Sequence, residues 1–188
     1  MIKILNKKFK PRIKARIRKN KQILGKNIDS FFSWVKGAKL VELKECNTEE
    51  DPVRPELDNK FRTGYGRKIY GVEYKGEIYA VMCFAYTNQI PKSVDELEKL
   101  STDAFLQSAM RDQSGGQIAI AYTVWSKKKG GGKLIVKEVF KKIKKSNHLN
   151  RLVTLSPLTE MATTFHKRNG AKLLQINENT QNFEYKVI

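Results

Sequence analysis

Three consecutive glycines, Gly130-Gly131-Gly132, separate a nearly uncharged run, Gln117–Trp125, from a lysine-rich amphipathic stretch. Few folds accommodate that junction. A run like Ile118-Ala119-Ile120-Ala121-Tyr122 reads as a strand covered on both faces. The stretch Gly132–Ser146 places Ile135, Val139 and Ile143 one helical face apart, with lysines opposite. A glycine bend between strand and helix lets the backbone approach a ligand closely and turn its N–H groups one way. The helix start adds a positive dipole end. Lys127, Lys128, Lys129 and Lys133 flank the bend, and Lys127 to Lys145 hold nine lysines against one acid, Glu138. The combination reads as a phosphate site; a flexible solvated loop is the plain alternative. Neither standard nucleotide fingerprint fits, because Leu134 follows Lys133 where Ser or Thr belongs, and Ile135 stands where a third spaced glycine belongs.

The rest of the chain builds an α/β pattern around this unit. Arg67–Tyr74 and Glu77–Tyr86 are β-rich runs joined at Lys75-Gly76. Ser93-Val94-Asp95-Glu96 fits a capping box opening a helix to about Met110, broken by Ser114-Gly115-Gly116. Beyond the lysine-rich helix come a short strand at Leu152–Leu155, a helix from about Pro157 to Asn169 closed by Gly170, and a strand pair at Lys172–Gln175 and Asn182–Val187. Strands alternating with helices and ending in a hairpin give an α/β chain with a mixed sheet. Towards the start, Asn27–Gly37 reads as helix and Leu40–Cys46 as a strand.

Charge sets the organisation. The 188 residues carry a formal net charge of +18, which calls for an acidic partner: nucleic acid, a phosphate-bearing cofactor or an anionic surface. Residues 1–28 hold eleven basic side chains and no acid, so we assign 1–28 as a basic arm and 29–188 as the folded domain. Such an arm suits a phosphate backbone, an anionic membrane surface or the acidic segment 42–58, or stays a solvated helix. That acidic segment contains Pro52 and Pro55 and reads as a loop. No apolar run reaches the roughly 18 residues of a membrane span, and no secretory leader pattern is present. Two cysteines, Cys46 and Cys83, make no disulfide framework, so a reduced, cytoplasmic setting is expected.

Two segments resemble the GCN5-related N-acetyltransferases. Lys127, Gly130 and Gly132 fall on that family's basic-x-x-Gly-x-Gly loop, which opens a helix after a central strand; Lys127 replaces the usual Gln or Arg. Ala162-Thr163-Thr164-Phe165-His166, ending at Gly170-Ala171, is similar to the second signature, with His166 at the tyrosine position and Ala171 at the last aromatic. The resemblance covers about Arg67–Ile188. The chain also resembles acetyltransferase-like proteins of tailed bacteriophages. It implies a mixed, largely antiparallel sheet with helices on both faces, and an acyl-CoA cofactor, acetyl-CoA first among them. Lys127, Lys128, Lys129, Gly130, Gly131, Gly132 and Lys133 would hold the pyrophosphate. Tyr122, Thr123, Val124 and Trp125 would pair with the pantetheine arm like an added strand. An amine acceptor would attack the thioester directly.

By the same resemblance His166 would protonate the departing thiolate, as a group that titrates near neutrality can; an exposed helix position is the alternative. Ser156 stands where the family places a polar residue near pantetheine, and equally reads as a helix N-cap followed by Pro157 at the first helical position. Tyr122 is the polar candidate on the strand itself, or a buried aromatic. No Asp or Glu lies between Asp112 and Glu138, so no general base is assigned. The alternatives are a nucleic-acid-modifying enzyme on the same fold and a nucleic-acid binder without catalysis.

Overall fold

Runs of apolar residues too short for helices and bounded by turns become the strands of one sheet. A computed structural model describes residues 34, 36–109 and 115–186. Its sheet and numbered helices belong to the unit Lys39–Ile188, distinct from Met1–Ala38. The basic arm 1–28 lies outside the described residues; of the helix expected over 27–37, Trp34, Lys36 and Gly37 are described and are helical.

The strands are β1 (Lys39–Leu43), β2 (Lys68–Tyr74), β3 (Glu77–Thr87), β4 (Ile118–Ser126), β5 (Arg151–Thr154), β6 (Ser156–Pro157), β7 (Lys172–Ile176) and β8 (Thr180–Tyr185). Between them run α1 (Asn59–Thr63), α2 (Val94–Ala109), α3 (Gly131–Lys144) and α4 (Glu160–Arg168). β1 to β4 form an antiparallel meander, β5 joins β4 in parallel, and β8 returns antiparallel to β5. Past Leu155, β8 pairs with β6, and its other edge carries β7. Helices cover both faces. Val81, Cys83 and Ala85 of β3 pack with Leu97 of α2. On the opposite face Gly131 of α3 meets Ala80, and Lys142 lies over Tyr70. The capping box forms: Ser93 Oγ accepts from the Glu96 N–H at 3.1 Å, and Glu96 Oε2 from the Lys92 N–H at 2.6 Å. Among the described residues no helix is long and apolar enough to cross a membrane.

Two irregularities in β4 position everything that follows. The first is a bulge: Cys83 pairs with Thr123 but Phe84 with Ala121, leaving Tyr122 as the extra residue. The bulge reverses the alternation, so Thr123 and Trp125 face the side that Ile118 and Ile120 faced before it. The second is a fork. Pairing between β4 and β5 stops at Ala121 and Thr154, closed by Leu155 N–H on Ala121 O at 2.9 Å. β4 continues to Ser126 with β3 alone, while β5 bends away towards β8.

The acidic segment is anchored on the turned strand. Asp51, 1% exposed, accepts from Thr123 Oγ1 at 2.8 and 2.9 Å and from the N–H groups of Val53 and Arg54 at 2.9 and 3.2 Å. Its other oxygen pairs with Arg62 Nη2 at 2.9 Å, and neither side chain is exposed. Arg62 also donates to Leu57 O and Arg54 O, both at 2.8 Å, and lies over the Trp125 ring. Breaking a buried pair on one side leaves an uncompensated charge. Asp51→Ala is therefore expected to lower stability by about 3–5 kcal/mol in urea unfolding; a loss below about 1 kcal/mol would show Arg62 finding water instead.

Candidate active site

The glycine bend follows from three separate steric demands. Gly130 has φ +86°, in the left-handed region, and caps α3 without a side-chain bond. A Cβ on Gly131 would stand 3.0 Å from Ser126 Cβ and 3.3 Å from Ala80 Cβ. One on Gly132 would stand 3.0 Å from the Phe165 ring of α4. Gly131 N–H closes the bend on Lys128 O at 2.9 Å, and the first full helical bond is Leu134 N–H on Gly130 O at 3.0 Å. The amides of Gly132 and Lys133 precede the ladder and lack helical acceptors.

The lysines around the bend divide into two pairs. Lys127 is tied to Glu50 at 2.7 Å, and Lys128 lies over Tyr79 at 4.7 Å from the ring centre. Among the described residues no carboxylate reaches Lys129 or Lys133 within 4 Å, and both are exposed. Lys127 and Lys128 are thus engaged by neighbouring side chains, while Lys129 and Lys133 stand exposed.

A cavity of about 600 Å³ runs along the open edge of β4. Tyr122, Thr123, Val124, Trp125, Ser126 and Lys127 line one wall, Gly132 and Phe165 the bend end, and Ser156, His166 and Tyr185 the far end. Eight residues singled out from the sequence therefore border one space: Tyr122, Thr123, Val124, Trp125, Lys127, Gly132, Ser156 and His166. Lys128, Lys129, Gly130, Gly131 and Lys133 do not line it.

At the far end the side chains form a chain of hydrogen bonds. His166 is 5% exposed, with Nε2 2.8 Å from Ser156 Oγ and Nδ1 3.0 Å from Tyr185 Oη. Ser156 Oγ lies 3.1 Å from Thr154 Oγ1, which accepts from the Phe183 N–H at 3.0 Å. If Ser156 donates to Thr154, then His166 Nε2–H donates to Ser156 and the Tyr185 hydroxyl to Nδ1. Burial between the Phe165 and Phe183 rings pushes the His166 pKa down to about 4 and the Tyr185 pKa up. Near pH 7 the imidazole is neutral. That corrects both expectations for His166: it is no exposed helix residue, and burial removes the neutral-range titration expected of a proton donor.

A further expectation is corrected. Ser156 does not cap the following helix. It sits in β6 facing His166, and Thr159 caps α4 by accepting from the Ala162 N–H at 3.2 Å. For Tyr122 the structure shows the buried aromatic, the other of its two readings. The residue is 1% exposed, its ring belongs to the core cluster edge-on to Phe61, and burial raises its pKa well above the ordinary value.

Sequence reasoning missed the residues delivered by the acidic segment. Arg54 enters the fork and donates through Nε to Tyr122 O at 2.9 Å and through Nη2 to Leu155 O at 3.1 Å. These carbonyls flank the point where strand pairing ends, and one guanidinium serves both. Burial lowers the Arg54 pKa. Glu50 is the sole carboxylate among the described lining residues. Thr123 in an otherwise apolar strand was the available signal that a polar partner arrives from elsewhere.

No family model and no curated protein matches the chain. Solved structures do. A GNAT-like decarboxylase, GphF, in complex with isobutyryl-CoA aligns with a TM-score of 0.61 at 9% identity, over 80% of this chain and 100% of that one. The loading GNATL domain of CurA from Lyngbya majuscula aligns with a TM-score of 0.56 at 12% identity, over 80% and 98%. A Bacillus subtilis acetyltransferase in complex with CoA aligns with a TM-score of 0.54 at 12% identity, over 80% and 99%. The fold is thus that of the GCN5-related N-acetyltransferases, as the two signatures implied.

His166 gives a pH-dependent stability. Its pKa is near 6.5 in an unfolded chain and about 4 in the fold, so the unfolded state binds the proton more readily. The contribution is fully present above about pH 6.5 and fades as pH falls towards 4, by about 3 kcal/mol in all. In urea unfolding, the stability difference between wild type and His166→Gln is expected to shrink by about 2 kcal/mol from pH 7.5 to pH 4.5. A difference that does not change with pH contradicts a buried neutral imidazole.

Proposed function

We propose that the chain is an acyl-CoA-dependent N-acyltransferase, with acetyl-CoA the first cofactor to test and an amine as acceptor. The supporting observation is the open edge of β4, with its unpaired main chain, running from the glycine bend to Ser156 and His166 along one cavity. Solved structures of this fold that hold CoA or isobutyryl-CoA agree with it.

A pyrophosphate at the bend would meet the Gly132 and Lys133 amides, the positive end of α3, and the charges of Lys129 and Lys133. An extended pantetheine arm would continue the sheet beside Val124. The thioester then reaches Ser156. At a pKa of about 4, roughly one His166 in a thousand is protonated at pH 7, too few for it to act as the resident acid. In this reading the Ser156 hydroxyl turns its proton from Thr154 to the departing sulfur, and neutral His166 holds the Ser156 oxygen through Nε2–H. Attack by the neutral amine forms the C–N bond, collapse breaks the C–S bond, and the nitrogen sheds one proton to water while the departing thiolate takes one up.

A second reading, decarboxylation of a β-carboxyacyl thioester, is favoured by one observation: the only lining carboxylate among the described residues, Glu50, is paired with Lys127 and poorly placed to deprotonate an amine. Decarboxylation needs no base. The C–C bond breaks as carbon dioxide leaves, its electron pair forms an enolate, and a proton ends on the α-carbon. An apolar cavity with a few neutral donors suits that charge dispersal.

Calorimetric titration with acetyl-CoA is expected to give micromolar affinity, weakened about tenfold, or about 1.4 kcal/mol, by Lys129→Glu with Lys133→Glu. Absence of binding by the wild type sinks both enzyme readings and leaves the nucleic-acid binder. Free thiol released from acetyl-CoA with an amine panel supports transfer; carbon dioxide released from malonyl-CoA supports decarboxylation. Ser156→Ala is expected to lower either turnover at least tenfold with little change in affinity.

A further inference from the structure

We propose that Cys46 and Cys83 form a covalent modification site, a dithiol that a peroxide converts to an intrachain disulfide. They are the chain's only two cysteines, 37 positions apart by their numbers, and the fold brings them together. Leu43 pairs with Ile69 and Ile69 with Cys83, so one row crosses the sheet from the end of β1 to the middle of β3. Three residues beyond Leu43, Cys46 packs against the cluster that contains Ile69 and Cys83. Both thiols also meet α1. Cys46 Sγ lies 3.6 Å from Asn59 Oδ1, and Arg62 Nη1 donates to Cys83 Sγ at 3.3 Å. Asn59 and Arg62 are three residues apart on one helical face. Asn59 further fixes Cys46 through its main chain, at 2.9 Å to N and 3.0 Å to O.

The two thiols have unequal chemistry. Cys46 is half-buried and accessible; Cys83 is fully buried. The neighbouring Cys83 thiol, helped by the Arg62 charge, lowers the Cys46 pKa, and burial raises that of Cys83. Cys46 is thus the attacking sulfur. Its thiolate forms an S–O bond as the peroxide O–O bond breaks, and hydroxide leaves as water with the thiol's proton. The Cys83 sulfur then attacks the Cys46 sulfenic acid: the S–S bond forms, the S–O bond breaks, and the Cys83 proton leaves in a second water. Two electrons pass from the thiols to the peroxide.

The bond changes more than the cysteines. Disulfide geometry draws the two Cβ atoms to about 3.8 Å. Cys46 loses the proton it presents to Asn59, and Arg62 loses its thiol acceptor. Arg62 is the residue that holds Asp51, and Asp51 holds Thr123 of β4. Oxidation therefore loosens the strand edge that lines the cavity.

The test uses the full chain treated with one equivalent of hydrogen peroxide, then alkylated after unfolding. The expected product is a chain lighter by two hydrogens that takes no alkyl group, with a peptide linking Cys46 to Cys83 that a dithiol reductant cleaves. Cys46→Ser and Cys83→Ala should each abolish the link; Cys46→Ser replaces an accessible side chain and keeps the fold if Cys83→Ala does not. Hydrogen exchange of the free protein should be about tenfold faster at Thr123–Trp125 after oxidation. Cys46 advancing to sulfinic acid while Cys83 remains alkylatable overturns the site. A disulfide with unchanged exchange in β4 overturns its connection to the cavity. Neither readout needs a cofactor, so failure here is distinct from failure to bind acetyl-CoA.

Discussion

The cleft exists because a carboxylate and a guanidinium are buried together. Asp51 and Arg62 are both withdrawn from water, and for an isolated pair desolvation would offset most of the attraction. Here the pair is not isolated. Asp51 accepts four further hydrogen bonds, from the Thr123 hydroxyl to both oxygens and from two amides of its own loop. Arg62 satisfies two loop carbonyls as well. The network fastens the loop to β4, and the loop carries Arg54 into the fork. Without Arg54, Tyr122 O and Leu155 O would be buried carbonyls at the one place where the sheet has stopped supplying donors. The bulge, the carboxylate, the loop and the fork are thus one dependent series.

The electrostatics of the bend follow from the same loop. Four lysines in seven residues look like a dense anion site, yet Glu50 takes one and the Tyr79 ring another. In the proposed reading, attraction for an anion rests on amide groups and a helix end as much as on side-chain charge. Fixed dipoles cost no reorganisation when a ligand arrives, whereas exposed lysines must be ordered first. Glu50 near the mouth also limits how indiscriminately so basic a chain can recruit anions to the cavity.

The sheet was legible because its strands are apolar runs with clear turn residues, and the helices because their faces repeat. The bulge at Tyr122 was not: one extra residue leaves no trace in an apolar string. It changed which side chains share a face from Thr123 onward, bringing Thr123 and Trp125 to the side of Ile118 and Ile120. Ser156-Pro157 failed differently. Local chemistry favours a cap there, but β8 offers a two-residue pairing and His166 a hydrogen-bond partner for the hydroxyl, so tertiary contacts moved the helix start to Thr159. Lys167 and Arg168 suggested an exposed turn, while the helical period sets His166 beside Ala162 on the inner face. Asp51 and Arg54 came from a segment whose five net negative charges read as solvated loop. Composition over a window cannot reveal that a single carboxylate in it is folded inward.

The three glycines show how the two ends of the cavity are joined. Gly130 sets the direction of the bend, Gly131 lets α3 rest against β3 and β4, and Gly132 lets Phe165 of α4 lie against the helix start. Phe165 in turn stands edge-on to His166 with ring centres 5.1 Å apart. A side chain at position 132 would therefore act at the imidazole as well as at the bend, by pushing α4 and with it the Ser156 bond. Steric fit, rather than any charge, ties the amides of the bend to the polar pair at the far end. An occupant of the bend and a thioester at Ser156 would then be held by one continuous packed surface, which fixes the distance between them.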